Sequence, residues 1–204
     1  MRGLLVVIEG VNGCGKSTII DEIKSYFEHV QQLVKVYKFP DRSGDFGKQI
    51  DDYLCKRNPF KYKYDVLHAF AANRLAMKNS ILKDLMNGYV VICDRYSFSG
   101  IAYHIPLNAS KQVVRIYNSI ISYFDRNMPN PDITYLIKGD HLNLRNEVAQ
   151  RYHYGIDTNH LLFEIFREVI ELNTNKYEIL KNDYGKLDTV VLYIINDINL
   201  HIDT

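Results

Sequence analysis

Gly10-Val11-Asn12-Gly13-Cys14-Gly15-Lys16-Ser17 decides the fold. The stretch fits G-x-x-x-x-G-K-[ST]. It lies between an apolar run of strand length, Leu4 to Glu9, and a segment from Lys16 to Glu28 whose Ile19, Ile20, Ile23 and Phe27 recur at helical spacing. Glycines let successive backbone N–H groups wrap an anion, and the start of the following helix adds partial positive charge. Gly10, Asn12, Gly13, Cys14, Gly15, Lys16, Ser17 and Thr18 are therefore expected to cradle the phosphates of a nucleoside triphosphate, with Lys16 on the β- and γ-phosphates and Ser17 on Mg²⁺. The bland alternative, a glycine-rich turn with an incidental lysine, is disfavoured by the strand before it and the helix after it. Cys14 reads as a tolerated small residue rather than a redox handle, since no cation beyond Lys16 stands beside it in the sequence.

Outward from this loop, short apolar runs alternate with helical stretches. Leu33 to Phe39 reads as a second strand stopped by Pro40, Tyr89 to Cys93 as a third, Ile133 to Ile137 as a fourth and Thr189 to Ile195 as the last. Phe46 to Leu54, Tyr64 to Met86, Lys111 to Phe124, a short Leu142 to Gln150 and a long His160 to Leu180 read as helices. Pro129 and Pro131 stop the helix before the fourth strand and extend the chain into it. The pattern predicts an α/β protein with a five-stranded parallel sheet covered by helices on both faces. Neither repeats nor linkers interrupt it, so residues 1–204 are expected to form a single domain.

Composition narrows the partners. With 47% hydrophobic and 24% charged residues the chain is an ordinary globular one. No apolar run approaches the roughly 20 residues that span a bilayer, and Leu4 to Ile8 is too short for a secretory signal. Cys14, Cys55 and Cys93 match neither a zinc pattern nor a disulfide framework, which points to reduced thiols and a cytoplasmic protein without membrane contact. A net charge of +1 gives no general attraction for nucleic acid, and a small phosphorylated ligand fits better.

A phosphate-binding loop alone does not say whether the phosphoryl group goes to water, to a small acceptor or serves a switch. Asp41-Arg42-Ser43-Gly44 fits the D-x-x-G of a GTP-binding switch, and Asn175-Lys176-Tyr177-Glu178 resembles N-K-x-D with Glu in place of Asp. The second is expected inside the long helix, where it would not reach a base. Asp94-Arg95-Tyr96 ends the third strand, at the edge where open parallel sheets bind ligands. There Asp94 can organise Mg²⁺ and Arg95 can neutralise charge on a phosphoryl group in transfer. A helix-capping Asp and a surface-paired Arg are the plain alternative.

Four motifs in order resemble those of the thymidylate kinases, over nearly the whole chain: the phosphate loop, Phe39-Pro40-Asp41-Arg42, Phe70-Ala71-Ala72-Asn73-Arg74 and Asp94-Arg95-Tyr96-Ser97-Phe98-Ser99-Gly100. The resemblance implies transfer from ATP to dTMP, with Arg42 and Arg95 on the acceptor phosphate, Phe70 stacked on the base and Arg74 donating to thymine O4. It implies that Tyr103 crowds the sugar 2′ position and that Asn12, Phe39, Leu54, Ser99, Gly100 and Tyr152 also line the acceptor site. These roles suit the residues, because a guanidinium matches phosphate or carbonyl oxygens and an aromatic face stacks on a base. Core packing with Val66 and Ala69 is the alternative for Phe70, whereas His68 reads as an ordinary helix residue.

The resemblance further implies a homodimer and a mobile lid over about residues 139–157. Gly13 stands where some members carry a phosphate-clamping arginine, so Arg145 and Arg151 of the lid inherit that task; a solvated helix face is their alternative. Three residues depart from the family pattern: Asn12 where a carboxylate is common, Leu75 where an aromatic is frequent and His153 where a glutamate is common. These departures bear on acceptor choice and point to a range that extends to dUMP and dGMP. Kinases of the same fold acting on other deoxynucleotides or deoxynucleosides remain the alternative within the class, and a GTP-binding switch the alternative outside it.

Overall fold

The computed structural model describes residues 2–55, 63–139, 156–183 and 185–202. Strands β1 (Leu5–Glu9), β2 (Val34–Lys38), β3 (Val90–Asp94), β4 (Ile133–Lys138) and β5 (Tyr177–Lys181) form one parallel sheet in the order β2-β3-β1-β4-β5. The order explains the composition. Central β1 and β3 are buried at every residue and read as apolar runs that end in a buried carboxylate, while the edge strands β2 and β5 are partly exposed. β2 and β3 are laid on one side of β1 and β4 and β5 on the other, so the loop that follows β1 opens at a switch point in the strand order, above the C-terminal ends of the strands.

Seven helices are described: α1 (Lys16–His29), α2 (Asp45–Leu54), α3 (Lys63–Met86), α4 (Ser97–Ala102), α5 (Lys111–Asp125), α6 (Ile156–Asn173) and α7 (Leu187–Ile202). α1 packs with α7, and α3, α4, α5 and α6 pack on one another, so the sheet is flanked by helices as expected. Ile19, Ile20, Ile23 and Phe27 form the buried face of α1. Among the described residues no helix is long and apolar enough to cross a membrane. Cys14, Cys55 and Cys93 form no disulfide with one another, and Cys14 and Cys93 are buried.

The structure corrects the C-terminal third. His160 to Leu180 is not one helix: α6 stops at Asn173, and Tyr177–Lys181 is the fifth strand, paired with β4 from Thr134↔Tyr177 to Lys138↔Lys181. The break is local turn chemistry. Asn173 Nδ2 donates to the Val169 carbonyl at 2.7 Å, and Thr174 Oγ1 accepts the Lys176 N–H at 3.0 Å, bonds that compete with helix continuation. Thr189 to Ile195 is not a strand but lies within α7. Its β-branched residues favour a strand locally, yet Val190, Val191, Ile194, Ile195 and Ile198 bury one helical face, and that packing wins. Helix α4 was not foreseen, and the expected helix Leu142 to Gln150 lies outside the described residues.

Candidate active site

The phosphate loop joins β1 to α1 through left-handed turns at Gly13 (φ 80°) and Gly15 (φ 95°), the latter capping α1, where a side chain would be strained. Ser17 and Thr18 are exposed on the first turn of α1, and Cys14 is buried beneath the loop. Lys16 is buried, its Nζ donating to the carbonyls of Gly10 at 3.0 Å and Val11 at 2.7 Å. Burial first, and then the neighbouring Arg95 guanidinium, push its ammonium below the ordinary lysine range.

Arg95 meets this loop from the end of β3. Its backbone is left-handed, φ 70°, which costs a non-glycine residue about 1–2 kcal/mol and is sustained by the contacts around it. Nη1 donates to the Gly10 carbonyl at 3.1 Å and Ser99 Oγ at 2.9 Å, and Nη2 donates to Asn12 Oδ1 at 2.6 Å. The guanidinium lies over the Tyr103 ring at 5.3 Å. The Tyr103 hydroxyl is buried, with no hydrogen bond of ordinary geometry among the described residues, while its ring stands edge-on to Phe166 at 5.6 Å. Asp94, also buried, ends β3 beside Lys38 Nζ at 3.2 Å.

Beneath Arg95 sits Glu9, which the sequence did not single out. The last residue of β1, it is wholly buried; Oε1 accepts the Tyr96 and Ser99 N–H groups at 2.8 and 2.9 Å, and Oε2 accepts the Ser99 hydroxyl at 2.6 Å. It thereby satisfies donors at the start of α4, which would otherwise be orphaned. Desolvation pushes its carboxyl above the ordinary glutamate range, against the opposing pull of Arg95 and the hydrogen bonds.

The two remaining motifs meet each other. Asn73, buried on α3, accepts the Asp41 N–H at 2.8 Å through Oδ1 and donates to the Asp41 carbonyl at 2.6 Å through Nδ2, tying the loop after β2 to α3. Phe39 is buried against Tyr96, and Arg42 reaches outward to Asp51 Oδ1 at 2.5 Å. Phe70 is half-buried and stands edge-on to His104 at 6.3 Å, and His104 Nδ1 lies 2.6 Å from the Gly100 carbonyl. Arg74 is buried beside Gly100 and paired with Asp125. Leu54 ends α2, and His68 is exposed against Phe124.

The phosphate loop, Arg95, Ser99, Gly100 and Arg74 thus form one contact chain, with Asp94 at its edge. Arg145, Arg151, Tyr152 and His153 lie outside the described residues. Asn175-Lys176-Tyr177-Glu178 leads into β5 at its N-terminal end, the sheet edge opposite the phosphate loop. The switch reading fails there for a different reason from the one expected. Asp41 turns its carboxylate onto Ser43 instead, whose N–H and hydroxyl lie 3.0 and 2.8 Å from Oδ1.

A parallel sheet with an anion-binding loop after β1 and an Asp-Arg pair closing β3 defines a P-loop phosphotransferase. A family profile described as thymidylate kinase matches residues 8–186. The fold also aligns with the solved structure of thymidylate kinase from Candida albicans at TM-score 0.76 and 27% identity, over 98% of this chain and 92% of that one. The chain belongs to the thymidylate kinase family, and as such it is an enzyme that phosphorylates dTMP, with ATP as donor.

Proposed function

We propose that phosphoryl transfer runs in line above the C-terminal edge of the sheet, from ATP on the phosphate loop to dTMP held by Arg42 and Arg95. The observation that carries this reading is the junction of Lys16 and Arg95, which both donate to the Gly10 carbonyl while Arg95 also donates to Asn12 Oδ1, setting two cations at one site. Lys16 and Arg95, with Arg145 and Arg151 from the lid, offset charge as the bond to the γ-phosphorus breaks. No protein nucleophile is required, because the acceptor phosphate is itself an anion and catalysis rests on positioning. Exposed Ser17 and the Asp94 carboxylate are hard oxygen donors that fit Mg²⁺, whose bound charge would lower repulsion among the phosphates. Gly10, Gly13, Cys14, Gly15 and Thr18 complete the ATP cradle.

In the acceptor site Phe70 stacks on the base, Arg74 donates to its carbonyl, and Tyr103, with its buried hydroxyl, crowds the sugar 2′ position. Phe39, Leu54, Ser99, Gly100 and Tyr152 complete the lining, and Asn12 accepts from a sugar hydroxyl. We extend the acceptor range to dUMP and dGMP, which share a carbonyl oxygen in reach of an arginine; the C. albicans enzyme is itself described as having broad substrate specificity. The exposed stripe Ile116, Ile120 and Tyr123 on α5 supports a homodimer, and the buried reduced thiols of Cys14 and Cys93 suit a cytoplasmic setting.

Steady-state kinetics of three variants test these roles. Lys16→Ala and Arg95→Ala are expected to cut kcat by about 10²–10³-fold, whereas Arg74→Ala raises the KM for dTMP with kcat largely kept. Equal losses in both parameters for Arg74→Ala would contradict its role at the base.

A further inference from the structure

Arg74 does not choose its own position. Nε donates to Asp125 Oδ1 at 2.8 Å and Nη2 to Asp125 Oδ2 at 2.6 Å, a two-pronged pair whose side chains are each about 4% exposed. Asp125 is the last residue of α5, a different element from the α3 that carries Arg74. On the other side of the guanidinium lies Gly100 of α4. A Cβ built there would stand 2.8 Å from Nη2, 3.0 Å from Nη1 and 3.2 Å from Cζ. The end of a long side chain usually yields to such an intrusion, but this one is pinned from behind by the carboxylate. Glycine at 100 is thus the space in which the guanidinium rests.

We propose that Asp125 is a positioning residue for nucleobase recognition: with Gly100 as the floor, it seats the Arg74 guanidinium so that only N–H donors remain for the acceptor base. This rests on the reading that Arg74 faces the base. Asp125 occupies Nε and one edge of Nη2, and it does not engage Nη1. A guanidinium has no acceptor atom. Thymine and uracil O4 and guanine O6 match donors held in that place, while the amino groups of cytosine and adenine meet them donor to donor. Discrimination of this kind depends on the donors being unable to turn away, and the buried carboxylate supplies that rigidity.

The experiment is a kinetic comparison of Asp125→Asn and Gly100→Ala with the parent enzyme on dTMP and dCMP, repeated in an Arg74→Met background, with Tm recorded throughout. Asn at 125 keeps the shape but turns one acceptor into a donor facing the guanidinium. Ala at 100 keeps both charged partners but sets a Cβ 2.8 Å from Nη2, so it shifts the guanidinium without removing its counter-ion, and its Tm reports the cost. Both are expected to raise the KM for dTMP about tenfold, to leave kcat within about threefold, and to shrink the dTMP-over-dCMP ratio of kcat/KM about tenfold. In the Arg74→Met background neither change should move KM further, because both act through Arg74. Unchanged KM and base preference in both single variants, with only the Tm of Asp125→Asn lowered, would reduce the pair to a structural ion pair and overturn the proposal. If Arg74→Met alone leaves the KM for dTMP unchanged, the proposal falls together with the reading of Arg74 itself.

Discussion

Glu9 and Arg95 share Ser99: the serine hydroxyl donates to Glu9 Oε2 at 2.6 Å and accepts from Arg95 Nη1 at 2.9 Å. A buried carboxylate at the end of β1 therefore sets the direction of the hydroxyl on which the arginine at the end of β3 leans. Glu9→Gln is nearly isosteric but presents an amide donor on one side, so it disorders this relay without removing Arg95. Loss of one oriented buried hydrogen bond is worth about 1–3 kcal/mol, so kcat should fall about tenfold or more while the KM for ATP changes little.

The same residue makes a pH prediction. The fold raises the Glu9 carboxyl above its ordinary value of 4.5, so between 4.5 and that raised value the folded chain binds a proton that the unfolded chain has lost. Glu9 therefore contributes stability at acid pH that is lost as pH rises through this window. Glu9→Gln lacks the transition. Thermal melts at a series of pH values should show the variant gaining on the parent as pH rises above 4.5; a constant offset would contradict the assigned cause.

Lys16 trades stability for function. Burial and Arg95 depress its proton affinity, so the charged ammonium is held at a cost and stability should rise with pH as Lys16 deprotonates below the ordinary value of 10.5. Lys16→Met removes the charge and keeps the stem. Relief of about 1 kcal/mol corresponds to a Tm gain of about 2–4 °C for a chain of this size, with turnover lost. A lower Tm in a folded variant would show that the ammonium stabilises the loop instead.

Asn73 serves the acceptor site at a distance. It holds the Asp41 peptide on both its N–H and its carbonyl, and Arg42 is the next residue. Asn73→Ala leaves two peptide groups without their partner at a buried position, a loss of about 1–3 kcal/mol in stability. Chemical denaturation measures that term. Kinetics should then show a KM for dTMP raised several-fold, since the loop bearing Arg42 is no longer anchored to α3.

The first four strands and the phosphate loop were legible because their signals are local. Leu5–Ile8 and Val90–Cys93 are uninterrupted apolar runs bounded by Glu9-Gly10 and Asp94-Arg95, and a glycine pattern between a strand and a helix admits few readings. The C-terminal part was not, for two opposite reasons. Tyr177–Lys181 is a short, partly exposed edge strand, so Ile179 and Leu180 simply continued the helical spacing of α6. Val190 to Ile195 carries the β-branched residues of a strand, and only its packing against α1 makes it a helix. The reactive candidates Lys16 and Arg95 stand in motifs and could be named. Glu9 and Asp125 act through residues 90 and 51 positions away, and no spacing rule in one sequence connects such partners.

Transfer from ATP to a nucleoside monophosphate held opposite the phosphate loop is read out by product stoichiometry. ADP formation from ATP and Mg²⁺ is followed with dTMP, dUMP, dGMP, dCMP, AMP and thymidine as separate acceptors, and each product is separated by chromatography. Such transfer yields dTDP in equal amount to ADP, with strongest turnover on dTMP, weaker turnover on dUMP and dGMP, and little on dCMP or AMP. ADP formation that does not depend on an acceptor, or the absence of any nucleoside diphosphate from dTMP, would contradict it.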